Sequence, residues 1–399
     1  MHIFTLIDWI LFSLLALCVF YLLFYAIASK FYRPRKFSIA KTQRRFLVLF
    51  PAYKEDRVIV STVRSFLKQE YPQDKFDIVV ISDQMQPATN DTLQALPIQL
   101  QTADYANSSK AKALSLAMDI TMDKNHDIVV IMDADNLTTP NFLAEINCAF
   151  ESGCRSIQAR RTGKNLNTDI SILDAVSEEI NNGFFRSGHN AVGLSAGLTG
   201  SGMAFDADWF RQNVKHLQTS GEDKELEALL LKQRVHTEYL AQLSVYDEKT
   251  QKKEAIKNQR KRWIAAQYGA LRASLPNFPK AFLHGNVDYC DKILQWMLPP
   301  RLVQLAGVFG FTFLITVICI WISLQNESNE WYIGIKWWLL SVAQVIAMIL
   351  PMPRKLFNKK LGKAIMQVPT LALIMIANLF KLKGANKKFI HTEHGEEKE

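Results

Sequence analysis

From position 9 to position 29 the chain runs for 21 residues without one charged side chain. At 1.5 Å per residue, a helix of that length crosses the roughly 30 Å hydrocarbon core of a bilayer. No Lys or Arg precedes the run and no clear small-residue cleavage pattern follows it, so it reads as a retained anchor and not as a cleaved signal. Residues 302–326 form a second uncharged stretch, and residues 331–353, interrupted only by Lys336, form a third. Both are long enough to span.

The net charge of +9 raises the question of nucleic acid, and the positions of the charges answer it. Residues 30–45 hold seven Lys or Arg and residues 354–363 hold five, with no acid in either segment. Those twelve exceed the whole net excess, so the rest of the chain is slightly acidic and the basic clusters read as cytoplasmic flanks of membrane segments. No nucleic-acid partner is expected. The loop at 325–332 carries Glu327 and Glu330 but no Lys or Arg, which puts it on the far side. The expected arrangement is an integral protein of the inner or plasma membrane with its amino terminus outside and residues 30 to about 300 in the cytosol. The five cysteines show neither C-x-x-C nor His-paired spacing, so neither a disulfide frame nor a zinc site is indicated.

Within the cytosolic segment, strand-like runs at 46–50, 78–82 and 128–132 alternate with helical patterns at 55–69 and 108–121. That alternation implies βαβ units and an α/β domain with a mostly parallel sheet. The run 127–136, DIVVIMDADN, ends at two carboxylates one residue apart. On an extended strand Asp133 and Asp135 share a face, and carboxylates that close repel unless a cation or donors neutralise them. Mg²⁺ or Mn²⁺, which takes one or two carboxylates together with phosphate oxygens, is one explanation. A solvated turn with Asp135 and Asn136 capping the next helix is the other.

Other candidate groups fall at the same strand ends. PAYKED (51–56) follows the first strand and SDQMQP (82–87) the second, which gives Tyr53, Glu55 and Asp83 the address of the aspartate pair. A Tyr stacks on a base, and an Asp accepts from a base N–H or a ribose hydroxyl. GLSAGLTGSGMAF (193–205) is a glycine-rich loop, a weak signal. GEDKELEALLLKQ (221–233) opens a helical segment with Glu222 and Asp223, where helix capping by acids is the alternative. NQRKRWIAAQYGA (258–270) combines Arg262, suited to diphosphate oxygens, with Trp263, suited to the apolar face of a sugar. A basic helix lying on the membrane is its alternative.

Taken in chain order, PAYKED, Asp83, SKAKAL, Asp133-Ala134-Asp135, GSGMAF, Glu222-Asp223 and Gln259-x-x-Arg262-Trp263 resemble the family 2 membrane glycosyltransferases, the group containing cellulose, chitin and hyaluronan synthases. The resemblance runs from about Phe46 to Trp263. It implies a GT-A type nucleotide-sugar-binding domain flanked by transmembrane helices. In residue terms it implies Asp135 as metal ligand, with Asp133 orienting the ribose or the ion. Tyr53, Glu55 and Asp83 would surround the base, Lys110 would reach a phosphate or the base, and Asp223 would be the catalytic base. Glu222, Gln259 and Trp263 would hold the acceptor, and Arg262 the diphosphate. The chain departs from the family pattern at Ser109, where a glycine is usual, and at Gly221, where a threonine is usual. FIHTEHG (389–395) resembles the cellulose synthase gating loop, with His391 and His394 replacing its Val and Lys.

The expected organisation is a membrane anchor at 1–29, a basic linker at 30–45 and the transferase domain at 46–275. An interfacial segment follows at 276–301, then two spans within 302–353, then a basic loop, an interfacial or re-entrant helix and the possible gating tail at 354–399. The partners implied are a nucleotide sugar, in particular a UDP-sugar, a glycan or lipid-linked acceptor, the lipid bilayer and a possible accessory or export partner. Processive polysaccharide synthesis and single addition to a lipid-linked acceptor are the two product classes; a non-catalytic sensor of nucleotide sugar is the third reading.

Overall fold

A computed structural model describes residues 2–251, 253–326 and 332–379. The segment 389–395, with His391 and His394, and the acidic loop residues Glu327 and Glu330 lie outside the described residues.

The centre of the molecule is an eight-stranded sheet: β1 (Phe46–Tyr53), β2 (Phe76–Asp83), β3 (Gln99–Ala103), β4 (Ile128–Ile131), β5 (Leu137–Thr138), β6 (Ser156–Gly163), β7 (Met203–Asp206) and β8 (Thr237–Asp247), in the order β3-β2-β1-β4-β7-β6-β8-β5. The half from β3 to β4 is parallel throughout. Beyond β4 the sheet is mixed, with β7 antiparallel to both β4 and β6, β6 parallel to β8, and β5 antiparallel to β8. The apolar runs of β1, β2 and β4 are buried because both sheet faces are covered, as parallel strands require. Phe46, Val48 and Phe50 point to one core, with Ile59, Phe66 and Phe142, while Leu47 and Leu49 point to the other, with Leu114, Phe205 and Phe210. This two-residue alternation fixes the register of β1, since a one-residue slip would exchange the two cores.

The crossover helices form at Ile59–Phe66 and Lys110–Asp119, inside the expected segments. Ser109 caps the second by accepting a hydrogen bond from the Lys112 amide at 3.2 Å. A side-chain acceptor therefore stands at the position where the family uses glycine.

The apolar helices gather from both ends of the chain. His2–Phe31, Arg301–Asn326 and Tyr332–Ile349 pack through Ala16, Val19, Val308, Trp337 and Leu340. Two helical stretches, Thr5–Phe31 and Arg301–Gln325, are long and apolar enough to cross a membrane. Gly334–Ile349 is a shorter apolar helix, and Lys359–Ile365 with Val368–Leu379 forms a pair bent by 44°. Lys336, the charge that interrupts the third apolar stretch, pairs with Asp8, whose other oxygen accepts from Trp337 Nε1 at 2.8 Å. A charge set among apolar helices is costly unless it is paired in this way. Gln304 with Gln344 and Thr312 with Ser341, each at 2.8 Å, join the second and third helices through polar contacts.

Candidate active site

At the carboxyl edge of the parallel strands the chain leaves β1 and β2 through two non-glycine residues with positive φ, Lys54 at 56° and Gln84 at 53°. They are neighbours: β1 and β2 pair Tyr53 with Asp83, and the Lys54 amide donates to the Asp83 carbonyl at 3.2 Å. Left-handed backbone is costly for these residue types, and strain of this kind concentrates at functional sites. Asp83 is 4% exposed, its Oδ1 has no hydrogen-bond partner among the described residues, and burial raises its carboxyl above the ordinary range. The Tyr53 hydroxyl donates to Gln84 Oε1 at 3.3 Å.

The aspartate pair sits one step beyond its strand. β4 ends at Ile131, and the Asn136 amide donates to the Asp133 carbonyl at 3.1 Å, so Asp133 and Asp135 belong to a turn. The two-residue periodicity of a strand therefore does not orient them; the turn does, and both still line the same cavity. Asp135 is 4% exposed and accepts from the Glu248 amide at 2.7 Å and from Asn136 Nδ2 at 3.1 Å. The Glu248 contact depends on β8. A register shift between Ala159 and Arg160 of β6 moves the pairing from Leu240 to Ser244 and carries β8 on to Asp247, opposite Gly163. Such bulges re-aim a strand near its end.

Lys110, at the start of its helix, joins the two acidic motifs. Its Nζ lies 2.5 Å from Asp133 Oδ1, 2.7 Å from the Gly200 carbonyl and 3.6 Å from Glu222 Oε1. Burial opposes the Lys110 charge, yet these carboxylates raise its pKa above the ordinary value. Gly200 adopts φ +86°, a backbone conformation that brings its carbonyl to the ammonium and that a side chain would strain.

Glu222 and Asp223 open the helix Glu222–Lys232. Burial, with the Asp223 and Asp133 charges, pushes the Glu222 carboxyl up to about 7 against the pull of Lys110. Asp223 is the more accessible of the two and lies 3.5 Å from Lys224. Gly221 is explained by packing: a Cβ there would stand 2.6 Å from the Cβ of Ala266 on the helix Lys253–Ser274. That helix carries Gln259, Arg262 and Trp263 toward the same cavity, and Arg260 lies 4.7 Å from the centre of the Trp263 ring. Burial draws the Arg262 guanidinium below its ordinary pKa, while Glu222, Asp133 and Asp223 pull the other way.

Tyr53, Glu55, Lys110, Asp133 and Asp135 thus share one cavity of about 840 Å³ with Glu222, Asp223, Gln259, Arg262 and Trp263. Asp83 does not line it; it lies alongside, next to Tyr53 in the sheet. Sequence reasoning missed Arg161, whose guanidinium donates to Asp247 at 2.9 Å and to the Thr199 carbonyl at 2.8 Å. Its charge also acts on Asp133 and Asp135. Asp247 and Glu248 were missed too, because nothing local marks the end of β8 as a neighbour of the aspartate turn. As a metal site, the donor set is two carboxylates facing a cavity, and no cluster of three His, Cys, Asp or Glu ligands occurs among the described residues. That set suits a hard divalent ion whose remaining ligands come from phosphate oxygens and water.

The strand ends of a mixed α/β sheet thus gather acids, an ammonium and a Trp-bearing helix around one cavity. Residues 43–266, more than half of the chain, match the model of the glycosyltransferase-like family 2, and the protein belongs to that family. It is 29% identical over 102 residues to the probable glycosyltransferase YdaM of Bacillus subtilis, a match covering 24% of each chain, so the chain spans about a quarter of that relative's length. Among solved structures it is similar to the mannosyltransferase PcManGT from Pyrobaculum calidifontis, determined in complex with GDP-Man and Mn²⁺. There the TM-score is 0.51 at 15% identity, with 86% of this chain and 97% of that one covered. The GT-A fold is thereby shared.

Proposed function

We propose that this chain catalyses inverting transfer of a sugar from a nucleotide sugar to an acceptor hydroxyl at the face of a membrane. The observation that carries the reading is the single cavity in which the aspartate turn, Lys110, the Glu222-Asp223 pair and the Arg262-Trp263 helix meet. Asp223, the more accessible acid of its pair, takes the acceptor proton as the hydroxyl oxygen attacks the anomeric carbon. The bond from that carbon to the diphosphate oxygen breaks on the opposite face, and the electron pair leaves with the diphosphate. Lys110 and Arg262 stabilise the charge that develops there, in a site sheltered from water. Tyr53 and Glu55 form the base side, with Asp83 beside Tyr53 in the sheet. Trp263, with Glu222 and Gln259, positions the acceptor sugar.

Asp135 and Asp133 would hold Mg²⁺ or Mn²⁺, which supplies Lewis-acid stabilisation of the departing diphosphate when bound. The Mn²⁺ in the PcManGT complex supports a divalent ion in this fold. A UDP-sugar donor rests on the resemblance to the synthases; the same solved relative carries GDP-Man, so both donors belong in the assay.

The membrane setting rests on exposed apolar surface: Leu17, Phe20 and Phe24 on the first helix, and Phe313, Trp321 and Leu324 on the second, are each more than half exposed. Phe282, Leu283 and Val287, at 68%, 82% and 65%, give the segment 276–301 the apolar face of an interfacial element. The basic flanks at 30–45 and 354–363 support a cytosolic catalytic domain with the amino terminus outside. Processive glycan synthesis is supported by the Gln259-x-x-Arg262-Trp263 helix at the cavity. Addition to a lipid-linked acceptor is favoured by another observation: part of the cavity wall is aliphatic, a surface suited to hydrocarbon and unsuited to a hydroxyl-rich chain.

Asp223→Asn tests the base. Transfer of labelled sugar should fall by about 10²- to 10⁴-fold while the variant still binds nucleotide. Normal turnover would overturn the assignment.

A further inference from the structure

The same cavity runs from the acidic motifs into the membrane helices, where its wall changes character. Leu302, Leu305, Phe309, Val345, Met348 and Leu371 line this limb. They come from three different helices, Arg301–Asn326, Tyr332–Ile349 and Val368–Leu379. Nothing in a soluble donor calls for such a surface, since a nucleotide sugar is polar along its whole length.

One cation stands at the head of the limb. Arg301 lines the cavity one residue before Leu302, and its Nη2 donates to Ser177 Oγ at 2.8 Å and to the Ser177 carbonyl at 3.2 Å. Its Nη1 is buried and makes no hydrogen bond, and the guanidinium has no carboxylate within salt-bridge distance among the described residues. Its charged neighbours are Arg260, Arg186 and Glu178. Arg260 is paired with Asp174 at 2.5 Å, and Glu178 is already engaged by Arg186 at 2.9 Å and Lys249 at 3.6 Å. A buried guanidinium with an idle donor is costly unless an anion completes it. Arg301 also connects to the chemistry, because its neighbour Arg260 covers the Trp263 ring and the adjacent Arg262 senses Glu222 and Asp223.

We propose that this limb binds a lipid whose phosphate is held by Arg301 and whose hydrocarbon chain lies along the aliphatic wall, presenting a lipid-linked acceptor to the transfer site. The proposal rests on the transferase reading above and specifies its acceptor. An anion satisfies Arg301 Nη1, and an alkyl chain satisfies the wall without leaving buried polar groups unpaired. Each half of the ligand accounts for one half of the site.

Native mass spectrometry of the full-length protein in detergent, titrated separately with hexadecyl phosphate, hexadecanol and inorganic phosphate, tests it. Hexadecyl phosphate should bind at least tenfold more tightly than either of the others. Arg301→Gln should lower its affinity by tenfold or more, and Leu305→Trp, which fills the limb while keeping the cation, should lower it as well. Equal binding of hexadecanol would overturn the phosphate contact, and displacement by an equal concentration of inorganic phosphate would overturn the lipid assignment. Unchanged affinity in both variants would overturn the site. Sugar transfer from UDP- and GDP-sugars, measured on the same preparations with soluble acceptors and with lipid-linked acceptors, separates the two proposals. Transfer without lipid binding defeats this inference alone, and lipid binding without any transfer defeats the transferase reading alone.

Discussion

The two ends of the cavity are built on opposite terms. At the polar end, groups from distant parts of the chain meet as specific pairs: Lys110 with Asp133 and Glu222, Arg161 with Asp247, Asp135 with the Glu248 amide. Removing one partner there strands the other in a place where an unpaired charge is expensive. At the apolar end the wall is Leu, Val, Met and Phe from helices near the carboxyl end of the chain, together with Leu22 of the first helix. Side chains of that kind exchange for one another at small cost when volume is kept. The polar end therefore fixes chemistry through pairing, and the apolar end fixes only which solvent-like environment the ligand meets.

Asp135→Ala presses hardest on that contrast, since it removes one of the two carboxylates proposed to hold the metal. Turnover should fall on the order of 10²-fold, and the remaining activity should respond less to Mn²⁺ and to chelators than that of the wild type. A wild type indifferent to chelators would show that pairing alone, without a metal, neutralises the aspartate turn. The next effect lies at the seam of the polar end. Gly221→Thr restores the residue usual in the family but drives a Cβ to 2.6 Å from Ala266 Cβ. It should cost about 1–3 kcal/mol in denaturant unfolding, and Ala266→Gly in the same chain should recover part of the loss. Unchanged stability would mean that the two helices are free to separate.

The smallest effect is in pH dependence. The folded protein holds the Glu222 carboxyl up at about 7, above the ordinary value of 4.5. The folded state therefore binds more protons than the unfolded one between those values, and Glu222 lowers stability progressively as pH rises through that window. Glu222→Gln abolishes this loss, so the melting temperature of the variant relative to wild type should be higher at pH 8 than at pH 5. A difference independent of pH would mean that Glu222 titrates as an ordinary carboxylate.

Much of this was legible in the sequence because it is local. Uncharged length marked the two helices that are long and apolar enough to cross a membrane, and β-branched runs marked β1, β2 and β4. Ordered motifs marked ten residues that share the cavity. The other five strands were not marked: β3 alternates glutamine with apolar residues only over its first residues at a sheet edge, β5 has two residues, β7 lies within the glycine-rich segment, and β6 and β8 fall where no motif was read. Asp133 and Asp135 face one cavity, but from a turn and not from strand periodicity, because the strand stops at Ile131.

By itself the sequence determined where apolar length and charge must go, and which residue types were available for phosphate, metal and proton chemistry. The tertiary structure alone decided that β8, after its register shift, brings Asp247 to Arg161 and Glu248 to Asp135. It alone decided that Gly221 must yield to Ala266, and that Arg301 stands where the polar and aliphatic walls meet. The physical reason is that chain periodicity reports each residue's burial, whereas the partner that offsets a buried charge comes from a segment tens or hundreds of residues away.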